Sequence, residues 1–314
     1  MSLSLTVIIP VYNRAHCVLR TLDSVFASSQ RPRQLLVVDN GSSDGSYDVC
    51  CRWADEHQCE DMSVRVLCET KPGAPAARNR GLDECQTDFV CFFDSDDLFD
   101  AGLVADAEVV LEQDPTTDLL CVRVLQDVKG KRHSRYFNRT QNPFVHILSS
   151  MLSTLSMIFR TEWLRGIGGW DERLTVWQDW ELGLRALLHQ PRVQWLDHRA
   201  YHCICVHGDS ITGTSFTQTM RGTLCAMDVA MEQVGKVHEE DVRSRCLRAL
   251  YFRSLIMAGM LQRERNAEGV QAYGQLACHC LPRPSRIVRW MGRFLNRYVV
   301  WGGRGAWWLA LQAV

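Results

Sequence analysis

The sequence predicts an α/β fold, with a mostly parallel central sheet, flanking helices and a helical C-terminal extension. Three observations predict it. Stretches of strand length recur at residues 5–9, 35–38, 64–67 and 89–93, all but the third an apolar run, with helical periodicity between them. Strands alternating with helices at that spacing give crossover connections and parallel pairing. The run at 89–93 also lacks polar alternation, as a strand buried on both faces does, and beyond residue 215 only helical periodicity remains. At 314 residues, 46% hydrophobic and with a net charge of −1, the chain is globular. It is long enough for one sizeable domain plus an extension, or for two small domains. That charge balance gives no global electrostatic bias, and no nucleic-acid partner is expected. The first apolar run has no basic flank and stops at Pro10, so no secretory leader is expected. No segment reaches the roughly 18 uninterrupted apolar residues of a membrane span. The 14 cysteines are scattered through apparent strands and helices, which reads as reduced thiols in a cytoplasmic protein. His202-Cys203-Cys205 and Cys278-His279-Cys280 are spaced too tightly for zinc.

Taken in order, the first strand leads into Pro10, Val11, Tyr12 and Asn13. A helix follows, with Val18, Leu22, Val25 and Phe26 at helical spacing. The second strand delivers Asp39 into Asn40-Gly41-Ser42-Ser43-Asp44-Gly45, which is turn chemistry, and Asp44 caps a helix running through Trp53. After the third strand, Lys71-Pro72-Gly73-Ala74-Pro75 forms a loop, and residues 76–82 make a short helix containing Arg78. The fourth strand ends in Asp94-Ser95-Asp96-Asp97. Carboxylates crowded at a strand end repel one another unless a positive group sits among them. Mg²⁺ or Mn²⁺ meets that need, binding through one or two carboxylates plus phosphate oxygens. Open α/β sheets bind their ligands just beyond such strand ends. A purely structural alternative stands beside each residue. Asp97 or Asp100 would cap the next helix, Pro10 end a strand, Asn13 cap a helix, and Arg78 pair with Asp83 or Glu84.

In the second half, residues 155–159 read as a strand, followed by Gly166-Ile167-Gly168-Gly169-Trp170-Asp171-Glu172. Glycines at that density suit a loop close to a ligand, or a plain turn. Trp177-Gln178-Asp179-Trp180-Glu181 opens a helix through Leu184, Leu187 and Leu188. A strand at 201–206 leads to His207-Gly208-Asp209-Ser210. Helices are expected over 217–234 and 242–261. Near the C-terminus, Ile287, Trp290, Met291, Phe294, Leu295 and Tyr298 share one helical face, and Arg286, Arg289, Arg293 and Arg297 the other. Trp301, Trp307 and Trp308 follow, and no acidic residue occurs after Glu268. A basic amphipathic helix with interfacial tryptophans suits an anionic membrane surface; the alternative is a helix packed on the domain with its arginines in solvent.

VIIPVYNRA, VVDNGSSDGS, KPGAPAARNRGL and FFDSDD, in that order and spacing, resemble the nucleotide-binding half of family-two inverting glycosyltransferases, and the likeness covers roughly residues 4–210. The resemblance implies the A-type nucleotide-sugar fold. It also implies that Pro10, Tyr12 and Asn13 line the nucleotide site, that Asp39 contacts the base, and that Arg78 lies near the nucleotide. By the same likeness Asp94 lies near the ribose, and Asp96 holds the metal. Asn40 departs from the family, which commonly has a second aspartate there. Where the family usually reads Glu-Asp, Gln178 replaces the glutamate and Asp179 remains as the general base that takes the acceptor proton; its structural alternative is a residue at the helix start, favoured there by the helix dipole. Gly169, Trp170, Asp171 and Trp180 fall on the acceptor side. His207 matches the family's His-x-x-Ser segment over diphosphate and metal.

The expectation is a glycosyltransferase domain over 1–215 (nucleotide-sugar binding in 1–100, acceptor and catalytic parts in 101–215) and a helical extension over 216–314. With Mn²⁺ or Mg²⁺, it would pass a sugar from a UDP-linked donor to a hydroxyl of a glycan or lipid-linked oligosaccharide. The expected location is the cytoplasm or the inner face of the membrane. A sugar-phosphate nucleotidyltransferase usually has a glycine-rich phosphate loop after the first strand, which PVYNRA is not. A non-catalytic sugar-nucleotide sensor or scaffold would not need Asp96, Asp179 and His207 together.

Overall fold

The structure is a computed structural model and describes residues 4–128, 131–134, 137–206 and 215–314. It forms two compact units interleaved along the chain. One contains residues 1–139, 152–175 and 191–208, the other residues 140–151, 176–190 and 209–314. Two stretches upstream of residue 215 thus group with the C-terminal helices.

The first unit holds the sheet. Its strands β1 (Leu5–Val11), β2 (Gln34–Asp39), β3 (Ser63–Cys68) and β4 (Phe89–Phe92) arise from the four strand-length stretches. They are joined by α1 (Val18–Phe26), α2 (Ser46–Glu56) and α3 (Ala74–Asp83). Then come α4 (Leu103–Gln113), β5 (Leu119–Val122), β6 (Val124–Val128) and β7 (Lys131–Ser134). After α5 (Pro143–Ser149), which lies in the second unit, follow β8 (Met157–Arg160) and α6 (Thr161–Gly166). Next is α7 (Gln178–Leu188), also in the second unit, then β9 (Val193–Leu196) and β10 (His202–Val206). The main sheet runs β3-β2-β1-β4-β8-β5-β9, and β10-β6-β7 make a smaller one. In the main sheet only β8 runs antiparallel to its neighbours, β4 and β5, so the sheet is mostly parallel as expected. The strand expected at 155–159 starts later, because Thr154–Ser156 form a 3-10 turn closed by a hydrogen bond from Ser153 N–H to Ser156 Oγ.

Pro10 does not end β1; it sits inside the strand, in register with Val38 of β2. The even-numbered residues of β1 turn their backbone groups towards β4, where Phe89 N–H bonds Ser4 O and Phe93 N–H bonds Ile8 O. The β4 ladder stops at Ile8, so the nitrogen of Pro10 faces past its end and the missing N–H breaks no bond. Beneath the sheet, Val18, Leu22 and Val25 of α1 are fully buried against a core that includes Leu5, Val7 and Ile9. On the other face, α3 comes so close to β1 that a Cβ on Gly81 would lie 2.5 Å from Ile8 Cγ2. A glycine is required there, and the close packing fixes Arg78 one turn earlier.

The second unit is helical, with α8 (Phe216–Gly235), α9 (Glu240–Arg263), α10 (Ala267–Cys280), α11 (Arg286–Val300) and α12 (Ala306–Leu311) added to α5 and α7. α9 is its centre and packs against α5, α8, α10, α11 and α12. Side chains cap three of these helices as their sequences suggest. Ser215, Asn266 and Ser285 accept the N–H groups of Gln218, Gly269 and Val288. No helix among the described residues is long and apolar enough to cross a membrane.

Candidate functional site

At the end of β4 the chain turns through Asp94-Ser95-Asp96-Asp97, and α1 holds the turn from below. Thr21 Oγ1 lies 2.9 Å from Ser95 O and 2.8 Å from Asp97 O, and Arg20 donates to Asp96 O at 2.9 Å. With its backbone bound in this way, the turn keeps Asp94 and Asp96 partly exposed while Asp97 is buried. Arg14 reaches within 3.9 Å of Asp96. Neither Asp97 nor Asp100 caps α4, whose N-cap is Gly102 with no side-chain bond; the turn before the helix is instead tied by Asp100. Its carboxylate accepts Gly102 N–H before α4 and makes two 2.9 Å bonds with Arg199.

The β1 and β2 loops are tied to each other. Asn13 adopts a left-handed φ of 52°, accessible to asparagine at low cost. Its N–H donates to Ser42 Oγ at 3.0 Å, and its Oδ1 accepts Ser43 N–H at 2.9 Å. Asp44 accepts Ala15 N–H and the Ser46 hydroxyl, and these bonds, the Ser46 one first, hold its carboxyl below the usual range. Tyr12, beside them, is exposed. Asp39 is buried, and its Oδ2 accepts the N–H groups of Gly41 and Ser42 at 3.1 and 3.0 Å. Its other oxygen, Oδ1, is buried with no partner. A buried acceptor left unpaired is costly unless a donor arrives from outside.

Asn40 explains its own departure from the family. Its amide donates to Glu69 O at 3.1 Å and Lys71 O at 2.7 Å, while its oxygen accepts Gly73 N–H at 2.7 Å. A carboxylate has no hydrogen for either carbonyl. The asparagine therefore pins the β3–α3 loop to the β2 loop.

From α3, Arg78 is buried, bonds Asp94 Oδ1 at 2.8 Å, and lies over the Trp170 ring at 4.5 Å. Glu84, offered above as its partner, pairs with Arg65 and Arg80. Trp170 is buried edge-on to Phe92, so its ring forms the wall behind Arg78. Asn79 clamps the same segment through both backbone groups of Trp170, at 2.8 and 2.9 Å. This clamp accounts for the glycine before it, since Gly169 has φ +60° and a Cβ there would meet Asn79 Oδ1 at 2.7 Å. Asp171 pairs with Arg173. Glu172 bonds Asn79 and Lys71, which hold its carboxyl below the usual range, Asn79 first.

Asp179 and Trp180 open α7 in the second unit. Trp177, just before the helix, has a φ of 57°, and Asp179 Oδ1 accepts Trp180 N–H at 2.8 Å. Arg253 of α9 braces this turn. Its guanidinium lies 4.2 Å from the Trp177 ring and 4.9 Å from that of Trp180. It donates to Ile147 O at 2.6 Å. Burial pushes the guanidinium down to about 10, with the charges of Tyr273 and Asp179 acting against the shift. Trp180 is buried, its ring N–H on Ile147 O at 3.3 Å and its carbonyl on His146 Nε2 at 2.9 Å. Glu181 is fully buried in a two-point pair with Arg185, both bonds 2.8 Å. The sequence reading passed over Arg253, Asn79 and Thr21. Arg253 left one trace in the sequence: a charge on the helical face shared by Cys246, Ala249, Leu250 and Met257, all buried.

Asp94 and Asp96 have the hard oxygen donors a divalent cation takes, and they lie on one turn that leaves them partly open. No group of three or more metal-ligating side chains is assembled among the described residues. Two carboxylates on one turn fit a cation that takes its remaining ligands from outside the protein. His207 lies outside the described residues.

The family model for Glycosyl transferase family 2 matches residues 6–168. The pre-mycofactocin glycosyltransferase of Mycobacterium tuberculosis is 30% identical over 203 residues, covering 60% of this chain and 40% of its own length. The chain spans less than half the length of that relative and of two Streptococcus pneumoniae glycosyltransferases it also matches. Among solved structures, S. aureus TarS 1–349 in complex with UDP-GlcNAc superposes with a TM-score of 0.70 at 19% identity, over 95% of this chain and 87% of that one. The Pyrobaculum calidifontis mannosyltransferase in complex with GDP-Man and Mn²⁺ gives 0.57 at 16% identity, over 99% and 87%.

Proposed function

The chain belongs to glycosyl transferase family 2, and we propose that it moves a hexosyl or N-acetylhexosaminyl group, with inversion, from a UDP-sugar to a hydroxyl of a glycan or lipid-linked oligosaccharide in surface polysaccharide synthesis. The observation that carries this reading is the unpaired buried acceptor Asp39 Oδ1 at the end of β2, with Asn13 just beyond β1 tied to the same loop and the Arg78–Asp94 pair and Asp96 just beyond β4. That acceptor favours uracil. Uracil offers one imide N–H, which suits one unpaired oxygen. Guanine presents two donors side by side and suits a carboxylate with both oxygens open, whereas Asp39 Oδ2 already accepts two backbone N–H groups. The TarS neighbour was solved with UDP-GlcNAc, which supports the same choice.

In this reading Pro10, Tyr12 and Asn13 line the nucleotide site, and Arg78 orients Asp94 towards the ribose. Asp96, with His207, would hold Mn²⁺ or Mg²⁺, which supplies charge neutralisation for the departing diphosphate; the Mn²⁺ of the mannosyltransferase neighbour supports a divalent ion. Asp179 takes the proton from the acceptor hydroxyl as that oxygen attacks the anomeric carbon, and the bond to the diphosphate breaks on the opposite face. Gly169, Trp170, Asp171 and Trp180 shape the acceptor side, with Trp170 acting from behind Arg78. A lipid-linked acceptor would be met at the inner face of the membrane.

The test is a donor screen with Mn²⁺, reading diphosphate release across UDP- and GDP-sugars, alongside UDP calorimetry on Asp39→Asn. UDP-sugars should be consumed and GDP-mannose spared, and Asp39→Asn should weaken UDP about 10-fold or more, as loss of a buried hydrogen bond to a charged group does. Turnover of GDP-sugars alone, or UDP affinity unchanged in the variant, overturns the assignment.

A further inference from the structure

The C-terminal helix α11 presents three faces. Val288, Gly292, Leu295 and Val299 are buried, and α11 packs on α9. That contact is tight. A Cβ on Gly292 would lie 2.5 Å from Leu255 Cδ1, one on Gly259 would lie 2.9 Å from Asn296 O, and Asn296 donates to Leu255 O at 3.0 Å. The helix therefore cannot roll on α9. This corrects the two-faced helix expected from the sequence, since Leu295 belongs to the packed face.

A second apolar row stays outside. Ile287 is 76% exposed, Trp290 64%, Phe294 40% and Trp301 84%, and Trp308 of α12 is 56% exposed. Trp290, Phe294 and Tyr298 stack in sequence along the row, at 5.8 and 6.0 Å between ring centroids. Large apolar side chains contiguous on a surface mark an interaction site. The third face holds Arg286, Arg289, Arg293 and Arg297, which at 100° per residue run along the edge of the aromatic row. No acidic residue occurs on α11 or α12, or anywhere after Glu268.

We propose that this row docks α11 flat on an anionic lipid bilayer. Ile287, Trp290, Phe294, Trp301 and Trp308 enter the interfacial layer, and the four arginines meet lipid phosphates. The charge pattern selects that occupant. Four arginines along an aromatic row, on helices that carry no acid of their own, complement a negative surface, and tryptophan is a side chain suited to the headgroup boundary. The proposal goes beyond the transfer reaction and does not depend on it.

The experiment is flotation of the full chain with vesicles of phosphatidylcholine alone or mixed with phosphatidylglycerol, at low and high salt. Binding is expected on the anionic vesicles only and should weaken with salt. Arg289→Gln with Arg293→Gln should lower partitioning roughly 25-fold, at about fivefold per arginine. Trp290→Ser, Phe294→Ser and Trp301→Ser together should abolish it. All these side chains are exposed, so the melting midpoint of each variant should match the parent's. Equal binding to neutral vesicles, or anionic binding that survives the aromatic substitutions, overturns the proposal. So does a dimer in sedimentation that the aromatic variant dissolves, because a second copy then covers the row. None of these readouts uses the donor, so their failure is distinct from failure of the transferase reading.

Discussion

Asp179→Asn keeps the bond to Trp180 N–H, because an amide oxygen accepts as a carboxylate oxygen does, but it removes the site for the acceptor proton. Transfer is expected to fall about 10²–10⁴-fold, with UDP affinity unchanged, when both are measured on one preparation. Near-normal transfer would place the base elsewhere. Glu181 would not be that base, since it is fully buried and held by Arg185. Arg253→Lys probes the support of the same turn. Lysine keeps the charge but not the planar stack on Trp177 and Trp180. A small displacement of a reacting group can cost up to about 10²-fold, so turnover should fall about 10-fold or more while donor KM holds. An equal loss in both parameters would assign Arg253 to the fold alone.

Between elements, the bonds at Asn40 decide how the loop after β3 sits on the loop after β2. Restoring the aspartate common in the family should harm this chain. Asn40→Asp loses both donations and sets a carboxylate against Glu69 O and Lys71 O. For a buried pair of bonds the cost is about 1–3 kcal/mol, visible as a lower denaturation midpoint. A neutral or stabilised variant would show that the loop carries no strain from the exchange. The acidic turn follows the same logic. Its geometry comes from Thr21 and Arg20 of α1, so the spacing of the aspartates is held by a helix some 75 residues away in sequence.

At the scale of the molecule, acid stability has an identifiable contributor. Burial pushes His202 down to about 4 from 6.5, with Asp100 and a Leu98 backbone bond opposing and Arg199 adding. The folded pKa is depressed, so between pH 6.5 and 4 the unfolded chain binds a proton that the folded chain refuses. His202 thus costs no stability above pH 6.5 and up to about 3 kcal/mol as pH falls to 4. The lowered carboxyls of Asp106 and Asp118 act below that window. The melting midpoint of His202→Leu should therefore fall less steeply than the parent's between pH 6.5 and 4; parallel slopes would remove His202 from the account.

The sequence by itself determined the α/β class, the four leading strands and the residues at their ends. Local periodicity and turn chemistry are written in consecutive residues, and a parallel sheet gathers its strand ends at one edge. It also marked the basic C-terminal helix. Only the tertiary structure decided that Arg78 answers Asp94, that Asn40 must be an amide, and that Gly169 is there for Asn79. It alone assigned Leu295 to a packed face and left the aromatic row outside. Each of these rests on partners distant along the chain, and no window of periodicity contains both members of such a pair.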